Sequence, residues 1–189
     1  MTAEGGPRTA RLELRAGTQA EHARVDNVFG AFDLATLEGY RSFLAAQADA
    51  LVPLELALDA AGADTAVADW ASRHRSDLLK ADLADLGADI PHATSAPTIE
   101  SPEAVLGALY VLEGSRLGGT VLARTVPLSF PKRFLSASDP ARWRSLIQLI
   151  DHNLVFPDQL AVALQVARDV FGRFEAAGRK HAKALLLEQ

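Results

Sequence analysis

The chain of 189 residues is 49% hydrophobic and 23% charged, proportions that suit one globular domain with a sizeable core. Aromatics make up only 6%, the apolar content being carried by alanine and leucine, which favour helices over strands. A net charge of −5 disfavours a protein that binds nucleic acid by neutralising phosphates, and the lack of cysteine excludes disulfides, thiolate ligands and a cysteine nucleophile.

The opening MTAEGGPRTA has no apolar run of a signal peptide, so residues 1–8 read as a flexible start and the expected compartment is the cytoplasm. Residues 9–29 contain no proline and predict one amphipathic helix ending near Gly30. A second helix begins near Thr36 and passes Leu51, where Pro53, which has no N–H to donate, predicts a bend or a new start. Shorter helices are expected over 65–73 and 77–86, then a polar, proline-punctuated loop over 87–100. Ser101-Pro102-Glu103 is a helix start: a serine cap, a proline at the first position and an acid at the positive end of the dipole. That helix should reach about Arg124, and its charges, Glu113, Arg116 and Arg124, argue against a membrane span. Pro127 and Pro131 break the chain, Asp139-Pro140 opens a helix through about Ile150, and Pro157 opens the last one to about Leu187. The pattern is an all-α bundle of about seven helices, with 9–189 as a single domain.

His22 lies in the first predicted helix, and a rotation of about 100° per residue puts Arg15, Thr18, Val25 and Phe29 near the same face. Arg15 is seven residues earlier, about 10 Å along the axis. A flat ligand with a metal at the histidine and carboxylates at the arginine fits that spacing, although a histidine satisfied by a neighbour fits it too. The second feature is Glu113-Gly114-Ser115-Arg116-Leu117-Gly118-Gly119. Each glycine costs about 1 kcal/mol against alanine inside a helix, so three in one stretch need a reason. Close approach to a flat ligand or to another helix would each supply one.

The segment from Leu14-Arg15 through Thr18 to His22, together with Leu109-Tyr110-Val111-Leu112 and the glycine run, resembles the bacterial haem oxygenases. The resemblance implies their multihelical fold, with His22 as the axial ligand of haem iron and Arg15 near a haem propionate. It also implies that Gly114, Ser115, Gly118 and Gly119 form the distal helix, with Gly114 and Gly118 against the porphyrin. Haem would be cofactor and substrate, opened with O2 to biliverdin, ferrous iron and carbon monoxide. Since the chain shows neither a dinucleotide fingerprint nor an iron–sulfur cysteine pattern, electrons would come from a separate reductase or ferredoxin. A bilin-using photoreceptor is a candidate consumer of the product. Ser115 stands where mammalian relatives carry an aspartate of the distal water network, which leaves the proton route open.

His74, His92, His152 and His181 read as solvated residues, and Arg179-Lys180-His181 as a solvated face or a match to the helix dipole. Arg124, Arg168 and Arg173 compete for a second propionate contact. A di-iron bundle would need Glu-x-x-His pairs, which are absent, and a thiaminase-like enzyme would commonly need the missing cysteine. The alternatives that remain are a haem carrier or sensor without turnover and a helical interaction module that binds no haem.

Overall fold

The structure, a computed structural model, describes residues 9–91 and 97–187; residues 1–8 and His92 lie outside them. The single helix expected over 9–29 is two, α1 (Ala10–Gly17) and α2 (Gln19–Phe29), parted at Thr18 with φ −112° and ψ 5°. Side chains intrude on the backbone there. Arg168 Nε donates to the Gly17 carbonyl at 2.8 Å and the Thr18 hydroxyl to the Leu14 carbonyl at 2.7 Å, the kind of competition that bends helices. Thr36 caps α3 (Leu37–Ala60) by accepting from the Gly39 N–H at 3.1 Å, and the helix runs unbroken through Pro53. Leu44, Leu51, Leu54 and Leu58 on this helix are fully buried. At about 1.5–3 kcal/mol each, they outweigh the roughly 3 kcal/mol that an interior proline costs.

The helix expected over 65–73 does not form. Gly62, at φ 71°, precedes a four-residue α4 (Ala63–Ala66), and the chain then makes a 3-10 turn (Trp70–Arg73) because Trp70 Nε1 reaches back to Asp59 Oδ1 at 2.7 Å. Helices α5 (Ser76–Asp85) and α6 (Pro102–Leu122) follow, the second capped by Ser101 Oγ, which accepts from the Ala104 N–H at 3.2 Å. A short α7 (Arg133–Ser136) was not expected between the prolines. It forms because the fully buried Asp82 of α5 accepts from the Phe134 N–H at 2.9 Å and from Arg133 Nη1 at 3.0 Å. Asp139 caps α8 (Pro140–Asn153), and α9 (Pro157–Leu187) completes nine α-helices, with no strand, among the described residues.

Helix α9 packs along α6, α3 and α2, with α1 crossing it, while α8 lies on α6 and α1, and α7 sits between α5 and α6. At the α6–α9 crossing a Cβ on Gly107 would stand 2.2 Å from the Ala163 carbonyl oxygen, so only glycine fits. Beyond this crossing, the second half of α6 faces α1 and α2 across a gap closed by side chains of α3, α7, α8 and α9. No helix among the described residues is long and apolar enough to cross a membrane.

Candidate functional site

The gap is a cavity of about 1060 Å³, and Arg15, His22, Gly114, Ser115, Gly118 and Gly119 all line it. A smaller cavity of about 650 Å³ beside Leu37 and Arg133 contains none of them. His22 projects from α2 with its Nδ1 at 2.9 Å from Asp26 Oδ2 and its ring edge-on to Phe171, 5.6 Å between centroids. The carboxylate occupies Nδ1, which orients the imidazole and leaves Nε2 for a ligand. Asp26 was missed at the sequence level, although its signal, an acid one turn after His22, was there to be read.

Arg11 and Arg15 line the cavity one turn apart on α1, with Tyr110 of α6 beside them. Burial holds the Tyr110 hydroxyl above the usual phenol range, against the opposing pull of the Thr18 hydroxyl and the charges of Arg15 and Arg11. This end of the cavity therefore offers two cations and a phenol to an anion. The backbone N–H of Arg11 donates to Asp151 Oδ1 at 2.9 Å, which ties the start of α1 to α8. None of Arg124, Arg168 and Arg173 lines the cavity, whereas Arg11, four residues before Arg15, does.

On the facing wall the glycines differ. A Cβ on Gly118 would meet nothing within 4 Å, one on Gly114 would touch Trp143 at 3.6 Å, and one on Gly119 would press on the Leu135 carbonyl oxygen of α7 at 2.9 Å. Gly118 thus opens the wall, and Gly119 admits α7. The Ser115 hydroxyl donates to the Leu112 carbonyl at 2.7 Å and accepts from Arg75 Nη2 at 3.0 Å, while Nη2 also reaches the Leu112 carbonyl at 3.0 Å. Arg75 is buried, lies over the Phe134 ring at 5.0 Å, and lines the cavity. Burial, and then the like charge of Arg116, push it down to about 9, opposed by Glu55 and Glu113. It remains charged at neutral pH.

Behind this wall Arg116 Nε donates to Glu113 Oε1 at 2.9 Å, and Arg116 Nη2 donates to the Arg73 carbonyl. Arg73 Nη1 faces Glu113 Oε2 at 3.4 Å. Of the other described histidines, His74 Nε2 is 3.0 Å from Asp59, His152 is exposed on α8, and His181 Nε2 is 3.3 Å from the buried Asp49. None lines the cavity.

No family model matches the chain. Over 112 residues it is 34% identical to the heme oxygenase of Xanthomonas campestris pv. campestris, covering 56% of this chain and 67% of that protein. Over 115 residues it is 34% identical to heme oxygenase PigA of Pseudomonas aeruginosa, covering 55% of this chain and 58% of the other. The NO- and CO-bound heme oxygenase of Neisseria meningitidis shares its architecture, with a TM-score of 0.81 and 26% identity over 94% of each chain.

Proposed function

The chain belongs to the haem oxygenase family of haem-degrading oxidoreductases, and from that premise we propose that its cavity holds haem with the iron at His22 Nε2. The reaction would open the porphyrin ring with O2 and electrons from a separate reductase or ferredoxin, giving biliverdin, ferrous iron and carbon monoxide. The observation that supports this most is one cavity with a free imidazole nitrogen on one wall, an open glycine opposite, and paired arginines at one end. These residues suit a flat metalloporphyrin carrying two carboxylates.

When bound, haem supplies the iron that activates O2 and the ring that is attacked. His22 would hold the iron, with Asp26 fixing the imidazole through Nδ1. Arg11, Arg15 and Tyr110 would orient the ring through its propionates, arginine pairing well with carboxylates. Gly118, with Gly114 beside Trp143, would leave room over the iron, and Gly119 would seat α7 as the adjoining wall. Because the Ser115 proton is directed at the Leu112 carbonyl and its lone pair at Arg75, Arg75 is the charged donor of that wall. The working unit would be residues 9–189 in the cytoplasm, with an electron-donor protein as partner and a bilin-using photoreceptor as a candidate consumer.

Turnover tests this. The hemin complex, given ascorbate or a reductase in air with catalase to remove free peroxide, should lose its Soret band and yield biliverdin by mass spectrometry, with iron released. His22→Ala should abolish the histidine-ligated spectrum while His152→Ala retains it. Return to ferric haem without bilin would leave a haem carrier or sensor, and a histidine signature that survives His22→Ala would reassign the ligand.

A further inference from the structure

The start of α5 breaks a local rule. Its N-cap position, where Ser, Thr, Asp or Asn is preferred, is held by Arg75, which makes no side-chain cap bond. The cap comes from another helix. Glu55 of α3, 3% exposed, accepts from the Arg75 N–H at 2.8 Å through Oε1, and through Oε2 from the Ser76 N–H at 3.1 Å and the Ser76 hydroxyl at 2.5 Å. Glu55 thus serves the N–H groups of the N-cap and first helical residues, which a serine at position 75, reaching the second or third, would leave to it, and burying a carboxylate there is costly. An arginine at 75 gains something a serine would not: its guanidinium reaches the Leu112 carbonyl and Ser115 on the cavity wall. The neighbouring backbone is clamped as well, with Arg142 Nη1 donating to the Ser72 carbonyl at 2.7 Å and Arg116 to that of Arg73.

We propose that Glu55 is a positioning residue, capping α5 from a distance so that residue 75 is free to carry a guanidinium into the cavity. The proposal rests on the reading of the cavity as the haem site. Glu55 bonds only the backbone of residue 75, so Arg75→Ser removes the guanidinium, leaves the Glu55 bonds in place and installs a favoured cap. Glu55→Gln keeps the size and the guanidinium but loses acceptors.

The test compares both variants with the wild type in two measurements: hydrogen exchange of the Arg75 Nε–H by NMR in the haem-free protein, and the midpoint of the acid–alkaline transition of the ferric hemin complex. Arg75→Ser should raise the midpoint by about 0.5–1 unit, because a nearby cation favours the anionic form. Glu55→Gln should quicken Nε–H exchange about tenfold, as expected when a buried group is released; the loss of its negative charge by itself lowers the midpoint, so a rise marks a displaced guanidinium and a fall overturns the proposal. Glu55→Gln that lowers stability alone, with exchange and midpoint unchanged, makes Glu55 a plain helix cap and overturns the proposal. An unmoved midpoint in Arg75→Ser overturns it too, by removing Arg75 from the iron's surroundings; the haem reading itself fails only if hemin binding or bilin formation fails. Should Glu55→Gln not fold, Ser76→Ala, which removes one of the three bonds, must shift the midpoint the same way, and no shift counts against the proposal.

Discussion

Three glycines that look alike in Glu113-Gly114-Ser115-Arg116-Leu117-Gly118-Gly119 meet different surroundings. The added Cβ of Gly118→Ala has open space, while that of Gly119→Ala meets a backbone oxygen that cannot swing aside. Gly118→Ala should therefore stabilise the haem-free protein by up to about 1 kcal/mol through helix propensity and weaken hemin binding. Gly119→Ala should cost about 1–3 kcal/mol, as overpacking does. Urea unfolding of the haem-free variants and hemin titrations separate the effects, and equal destabilisation at the two positions would contradict the assignment.

At the level of elements, the run Arg179-Lys180-His181 is a solvated face only in part: Arg179 and Lys180 are exposed as expected, whereas His181 is largely covered. Arg179 pairs with Glu175 on its own helix, while Lys180 Nζ at 2.7 Å and His181 Nε2 at 3.3 Å reach Asp49, so α9 is tied to α3. Burial alone would raise the Asp49 carboxyl, but Lys180 and then His181 outweigh it and hold it below its usual range. Burial depresses His181, against the pull of Asp49. Both folded values lie below the unfolded ones, so the unfolded chain binds more protons and stability falls on acidification, for His181 below about pH 6.5 and for Asp49 below about pH 3.9. Asp49→Asn should be less stable than the wild type at neutral pH, and the gap should close as the pH falls below about 4. Urea midpoints across that range measure it; a constant gap would show that the tie carries no proton linkage.

For the whole molecule, the cavity lies between α1–α2 and α6, segments separated by much of the chain, so hemin should act as a cross-link. At free hemin about a hundredfold above Kd, linkage adds about 2.7 kcal/mol, equivalent to a Tm rise of roughly 5–11 °C for a domain of this size. The rise should grow with hemin concentration and shrink in His22→Ala. Thermal unfolding followed by circular dichroism reads it; a Tm indifferent to hemin would show that the folded chain does not bind it, and a rise that persists unchanged in His22→Ala would place the binding elsewhere.

Much of this was legible in the sequence, because caps and helical periodicity act between residues a few positions apart. Ser101 and Asp139 cap the helices they were expected to cap, and His22, Arg15 and the glycine run, near one another only in the fold, carried the family resemblance that the relatives bear out. The tertiary structure decided what depends on partners far along the chain. The break at Thr18 involves Arg168, the start of α7 is bonded by Asp82, and the backbone N–H of Arg75 is bonded by Glu55 of another helix. His74, read as solvated, likewise meets Asp59 at 3.0 Å. A hydrogen bond across such a separation leaves no periodicity in the chain, and only the packing of α3, α6 and α9 brings its two ends together.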